Sequence, residues 1–161
     1  MSCANVMAPT GGDKDEKAPV LRSRNLPDSM RQFKGGTIVF EFDEFVQLKD
    51  VTSQLTITPL VKALPEVSAH KRKVTLRIHD SLLQPNTTYR VQFGKMIQDI
   101  HEGNPVENLN LTFSTGTYFD SLQLKGKIIQ AENGLPDTSM WIVLYPERAV
   151  DSAFYLEKPL Y

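Results

Sequence analysis

A single cysteine, Cys3, in 161 residues excludes an internal disulfide and every zinc pattern built on several cysteines. No apolar run approaches the roughly 20 residues that a bilayer-spanning helix needs. Only two residues stand ahead of Cys3, so the expectation is that any hydrophobic signal segment of a precursor has been cut away. Charge of one sign is also lacking: 18 Lys and Arg against 19 Asp and Glu give a net charge of -1. Such a chain has no overall field to draw in a polyanion, and no nucleic-acid partner is expected. The one dense basic run, His70-Lys71-Arg72-Lys73, lies directly before an alternating apolar stretch and has no interleaved aromatics. It reads as a solvated turn entering a strand.

Reactive constellations are equally scarce. There is no Gly-x-Ser-x-Gly elbow, and Cys3 lies in a stretch where no base can be held in register with it. The loops are short and leave no cleft-forming insertion for a pair of carboxylates. The expectation is a non-enzymatic chain that needs no cofactor.

What is present is an alternation of period two. An apolar fraction of 40% supports a core and 23% charged residues an ordinary surface. Ile38, Phe40 and Phe42 face one way while Thr37, Val39 and Glu41 face the other, as a half-buried strand requires. The pattern returns at Val74, Leu76 and Ile78, at Tyr89, Val91 and Phe93, and at Leu109, Leu111 and Phe113. No helical stripe between these segments can cover them, so they bury their faces against one another. Weaker strands are expected at Val20–Arg24, Phe45–Leu48 and Leu55–Thr58, and one helical turn within Val51–Leu64, limited by Pro59 and Pro65. Turn chemistry separates the strands at Asn25-Leu26-Pro27-Asp28, Lys34-Gly35-Gly36, Gln84-Pro85-Asn86 and Glu102-Gly103-Asn104-Pro105. The fold class expected is therefore all-β, an antiparallel β-sandwich.

Three domains are expected. Residues 1–18, with Pro9-Thr10-Gly11-Gly12 and a mixed-charge run, read as a flexible tether. Residues 19–117 hold the sandwich. From Tyr118 a new pattern starts: Leu122, Leu124 and Ile128 alternate, Asn133-Gly134-Leu135-Pro136 turns, and Met140–Tyr145 is apolar on both faces. Residues 118–161 are expected to be the truncated start of a second β domain, because so few residues can scarcely cover such a strand alone.

Four pieces in order carry a family resemblance. They are Ile38-Val39-Phe40-Glu41-Phe42-Asp43-Glu44-Phe45-Val46; Leu83-Gln84-Pro85-Asn86-Thr87-Thr88-Tyr89 onward to Phe93; Asp99-Ile100-His101-Glu102-Gly103-Asn104; and Phe113-Ser114-Thr115. Together they resemble the bacterial immunoglobulin-like domain of the SbsA type. The Asp99–Asn104 loop is one residue longer than the commonest spacing in that family. The resemblance implies an immunoglobulin-like sandwich serving as spacer, adhesion unit or repeat in a surface protein, with no characteristic catalytic residues. Ser2-Cys3-Ala4-Asn5 and the tether behind it are similar to the mature end of Bacteroidetes surface lipoproteins. This implies that Cys3 is lipidated in the full-length precursor and that the membrane is reached through a lipid anchor at the cell envelope, on the outer membrane or cell surface. Leu124 to Pro136, followed by Trp141-Ile142-Val143-Leu144-Tyr145, looks like the first hairpin of a carboxypeptidase-regulatory or transthyretin-like β domain.

The candidate ligand residues each have a plainer role as well. Asp99, Glu102 and Asn104 could supply oxygens to calcium, with Gly103 allowing a tight loop; Asp43, Glu44 and Asp50 form a weaker set. Against this, Asp and Asn at such turns usually bond their own backbone. His70, His79 and His101 lack ligand spacing and read as surface or turn residues. Phe33, Phe45, Tyr118, Phe119 and Trp141 are unexplained by the alternation. Core or inter-domain packing is the expected role, with sugar binding as the minority reading. Asp-Ser-apolar triplets at 28–30, 80–82, 120–122 and 151–153 resemble an O-glycosylation signal, and Asn86-Thr87-Thr88 and Asn110-Leu111-Thr112 fit the N-glycosylation pattern. Two functions follow: a structural spacer or assembly unit of a lipid-anchored envelope protein, or a module binding glycan or another envelope protein through the loops at one end.

Overall fold

The computed structural model describes residues 14–27, 29–121, 125–137, 139, 140, 144 and 145. Nine strands follow in order: β1 (Leu21–Arg24), β2 (Gly36–Phe42), β3 (Val46–Leu48), β4 (Thr56–Thr58), β5 (Glu66–His70), β6 (Lys73–Ile78), β7 (Thr88–Gln92), β8 (Ile97–Asp99) and β9 (Asn110–Ser114). One helical turn, α1 (Val51–Gln54), lies within the stretch where a turn was expected, and a 3-10 turn spans Asp80–Leu82.

The strands form a four-stranded sheet in the order β1-β2-β6-β5 and a three-stranded sheet in the order β4-β7-β9, all pairs antiparallel. If β1, β2, β4, β5, β6, β7 and β9 are lettered A to G, these are sheets ABED and CFG, the constant-type immunoglobulin arrangement. The expectation of an immunoglobulin-like sandwich is met. A two-stranded ribbon, β3 with β8, is added to that plan. It joins the B–C connection to the F–G connection.

The period-two reading identifies the core. Ile38, Phe40 and Phe42 of β2, Val74, Leu76 and Ile78 of β6, Tyr89 and Val91 of β7, and Leu111 and Phe113 of β9 are all buried. Phe40 meets Phe93 across the sheets edge to face at 5.1 Å, and Tyr89 stacks on Phe113 at 5.4 Å. Each such side chain contributes roughly 1.5–3 kcal/mol through the apolar area it removes from water. The Tyr89 hydroxyl, although buried, is satisfied by the Gln84 N–H at 2.8 Å, in the manner of the tyrosine corner of such sandwiches. Phe33 also joins the core, 4.6 Å from Phe113, where its segment runs beside β9.

The alternation does not foretell β5 or β8. β5 is an edge strand whose residues are at best half-buried, and β8 is three residues long and ends on a buried Asp. The stripe of β5 is only Val67 and the small Ala69, both part-buried, and that of β8 is the single Ile97, too little on which to read a period.

The connections sort the chain into two poles. Residues 14–20, the β2–β4 connection, the Lys71-Arg72 turn and residues 93–105 cluster where β2 ends: Phe42 N–H donates to the Arg72 carbonyl, Val46 N–H to the Lys71 carbonyl, and Asp43 N–H to the Val20 carbonyl. At the opposite, C-terminal pole lie Gly35, the 3-10 turn and residues 84–87 and 115–120. Gly35 (φ 82) is pressed so close to Ile78 and Asp80 that a Cβ there would fall 2.8 Å from backbone atoms of both. The chain thus arrives at one pole and leaves at the other.

Candidate functional site

The site expected at Asp99, Glu102 and Asn104 sits at the N-terminal pole, and its geometry follows from one buried carboxylate. Asp99 ends β8 at 1% exposure. Its Oδ1 accepts the N–H groups of His101, Glu102 and Gly103 at 2.8, 2.6 and 3.0 Å, and its Oδ2 that of Asn104 at 2.7 Å. The Asp99 carbonyl accepts the Gln47 side-chain amide at 2.8 Å, which ties the loop to β3. Burial alone pushes this carboxyl upward. The four N–H groups from Gly103, Glu102, Asn104 and His101 together outweigh burial and hold it at about 2. Its lone pairs are taken up by the loop's own backbone, the plainer role expected of Asp at such a turn.

Asn104 extends the loop toward the incoming chain. Its side-chain amide donates to the carbonyls of Asp15 and Lys17 at 2.9 and 3.2 Å. Val20 N–H donates to Asp43 Oδ1 at 2.8 Å, and Arg22 reaches Asp43 Oδ2 at 3.5 Å. The end of the expected tether is thereby clasped to the sandwich ahead of residue 18. Asp43 is engaged by Val20 and Arg22, and Asp50 adopts a left-handed φ of 51° with its carbonyl accepting from Ser53 and Gln54. Glu44 shares the pole with several carboxylates. Burial, then the charges of Asp99, Asp43, Asp15 and Glu102, raise its carboxyl above the ordinary 4.5. Among the described residues, no three His, Cys, Asp or Glu side chains gather closely enough to hold a metal ion.

Beside this acidic corner stands a basic one. Lys71 and Arg72 are the two-residue turn of the β5–β6 hairpin, between the paired His70 and Lys73, and Lys71 takes φ 55°. This is the solvated turn expected from the run. The Arg72 guanidinium lies over the Phe45 ring, 5.6 Å from its centroid, and Phe45 as a residue remains 44% exposed. Glu41, Phe45, His70, Lys71, Arg72 and Lys73 line an open hollow of about 420 Å³. In the sequence the cations and the unexplained Phe45 stand about 25 residues apart. Only the pairing of the hairpin with the β2–β3 connection brings them together.

The remaining candidates are scattered. His70, His79 and His101 are exposed and far from forming one cluster; His79 stands 3.7 Å from Glu66. Phe119 takes the Arg31 guanidinium at 5.4 Å, and Tyr118 is 55% exposed. Asp120 bonds Thr88 reciprocally, its N–H to Thr88 Oγ1 at 2.8 Å and its Oδ2 from Thr88 N–H at 3.2 Å, which fixes the departing chain to the start of β7. Ser29, Ser81 and Ser121 are exposed, whereas residues 28 and 151–153 lie outside the described residues. So do Cys3 and Trp141. The expected turn at Asn133-Gly134 is present: Gly134 (φ 68) donates to the Gln130 carbonyl, and Gln130 to that of Leu135. Among the described residues no helix is long and apolar enough to cross a membrane.

Comparison with known proteins agrees with this geometry. Residues 15–115 match the family described as the bacterial Ig-like domain, starting at the residue where the Asn104 clasp begins. No curated protein and no solved structure matches the chain.

Proposed function

Since the chain belongs to the bacterial Ig-like domain family, whose members are generally non-enzymatic structural or surface modules, we propose that it is a spacer or assembly unit of a lipid-anchored envelope protein. The observation that carries this reading is the position of the two ends. Asp15 to Val20 are bonded to Asn104 and Asp43 at one pole, and Gly116 to Asp120 to Gln32 and Thr88 at the other. A module threaded in this way adds its full long axis to whatever it joins. Both junctions are hydrogen-bonded, so the added length is stiff at its ends.

Lipidation at Cys3 would supply the anchor, since each buried acyl methylene contributes about 0.8 kcal/mol of membrane affinity. The support is compositional: the chain's one cysteine stands ahead of a Gly-, Pro- and charge-rich stretch. Residues 118–161 are read as the start of the next β module, on the strength of the Asn133-Gly134 hairpin.

A swap experiment tests the spacer. In the full-length protein, residues 15–120 are replaced by an unrelated immunoglobulin-like module with ends at opposite poles, and by a linker too short to span it. Function retained with the swap and lost with the short linker is the expected result. Loss with the matched swap would overturn it in favour of a binding module. Palmitate labelling that disappears on Cys3→Ala tests the anchor separately.

A further inference from the structure

We propose that the hollow beneath the β5–β6 hairpin is a binding site for an anionic polysaccharide of the uronic-acid class. This goes beyond the spacer reading, which needs no ligand. In a chain of net charge -1, Lys71, Arg72 and Lys73 face a single carboxylate, Glu41, around one hollow, with His70 beside them. The Lys73–Glu41 pair is 4.0 Å apart and exposed on both sides. Such a pair is weak enough for Lys73 to exchange partners.

The apolar part of the lining is what discriminates. The Phe45 ring, together with the methylene stems of the lysines, offers an apolar surface next to cationic heads. A uronic acid matches both features in one residue, with a flat C–H face for the ring and a carboxylate for Arg72 or a lysine. The Arg72 guanidinium, 5.6 Å from the Phe45 ring centroid, is suited to take a carboxylate in two parallel hydrogen bonds beside the ring. An acidic peptide has the charge without the flat apolar face, and a neutral sugar has the face without the charge. A nucleic acid would need several rings for successive bases, and Phe45 is the one ring lining this hollow.

The site is also held in shape before any ligand arrives. Phe42 N–H donates to the Arg72 carbonyl at 2.8 Å and Val46 N–H to the Lys71 carbonyl at 2.9 Å. These are main-chain bonds, so the tip keeps its place when the side chains are changed. Ordering the ligand then does not require ordering the hairpin.

The test uses the full chain and oligogalacturonate hexamers in calorimetric titration, with maltohexaose, hexaglutamate and phosphatidylserine vesicles in parallel. Saturable binding of oligogalacturonate is expected, weakening with added salt and by roughly tenfold in each of Phe45→Ala and Arg72→Gln. Combined Lys71→Asn, Arg72→Gln and Lys73→Gln should abolish it; Asn is chosen at 71 because it tolerates the left-handed φ. Unchanged thermal melts establish that the variants are folded. No oligogalacturonate binding, binding indifferent to Phe45→Ala, or equal or tighter binding of hexaglutamate, maltohexaose or vesicles would overturn the proposal.

Discussion

Asp99 and Asn104 hold each other twice, the Asn104 N–H donating to Asp99 Oδ2 at 2.7 Å and the Asp99 N–H donating to the Asn104 carbonyl at 3.2 Å. The four residues between them, Ile100 to Gly103, are therefore closed around one carboxylate. The charge it carries is compensated by backbone dipoles. Ionisation of that carboxylate therefore stabilises the loop.

The pH dependence follows from the sign of the shift. Asp99 is held at about 2 in the folded chain, below its ordinary 3.8. A lowered folded value means stability that is fully present above pH 4 and is lost as pH falls through the window from about 4 to 2. The shift corresponds to about 2 kcal/mol. Urea unfolding of Asp99→Asn at pH 7 should show a loss of roughly that size, because one of its two acceptors becomes a donor facing Asn104 N–H. Near pH 2 the variant and the parent should converge. A constant gap across the whole range would show that Asp99 acts through packing alone.

Glu44 should behave in the opposite sense. Its carboxyl is raised by burial and by the surrounding carboxylates, so ionising it works against the fold as pH rises through its ordinary value of 4.5. Glu44→Gln is expected to stabilise at pH 7 by about 0.5 kcal/mol or less. The gain should vanish below pH 4 and shrink in high salt. Thermal melts at the two pH values provide the check.

The split between what the sequence reveals and what it hides has a physical origin. Ile38, Phe40, Val74, Leu76, Val91 and Leu111 announce themselves because a strand with one buried face repeats every second residue. Asp99 was singled out by its neighbours Gly103 and Asn104, although the sequence gives no count of the N–H groups it collects. Gln47, whose side chain secures the same loop from β3, carries no local signal, since its role depends on a strand 52 residues away. The contact between Phe45 and Arg72 is likewise non-local. Each stands out in its own segment, as an aromatic outside the alternation and as part of a basic run, but neither points to the other, and their meeting depends on how the β5–β6 turn lies against the end of β2.

Gly94 tests the joint between α1 and the F–G connection. It has φ 53°, and a Cβ there would lie 2.5 Å from Gln54 Oε1 and 3.0 Å from the Gln54 carbonyl. The same Oε1 accepts the Lys95 N–H at 3.0 Å. Gly94→Ala is therefore strained twice, in its backbone and at the Gln54 contact, and should cost roughly 1–3 kcal/mol. Gln54→Ala in the same background relieves the collision of side chains and should recover part of the loss. A double-mutant cycle in urea measures that coupling, and strict additivity would refute it.

Asn104→Ala separates the clasp from the loop. The substitution leaves the Asn104 backbone N–H on Asp99 and removes only the amide that holds the carbonyls of Asp15 and Lys17. These are exposed bonds, so global stability should fall by less than about 1 kcal/mol. Local opening is where the effect should be seen: the chain around Lys17 is released while the Val20–Asp43 bond below it persists. Limited trypsin digestion should then cut after Lys17 about fivefold faster than in the parent, the factor that a 1 kcal/mol change in an opening equilibrium produces. Cleavage elsewhere in the sandwich should keep its rate. If the rate at Lys17 is unchanged, the incoming chain is held by Asp43 alone, and the stiff end required of a spacer begins at Val20 rather than at Asp15.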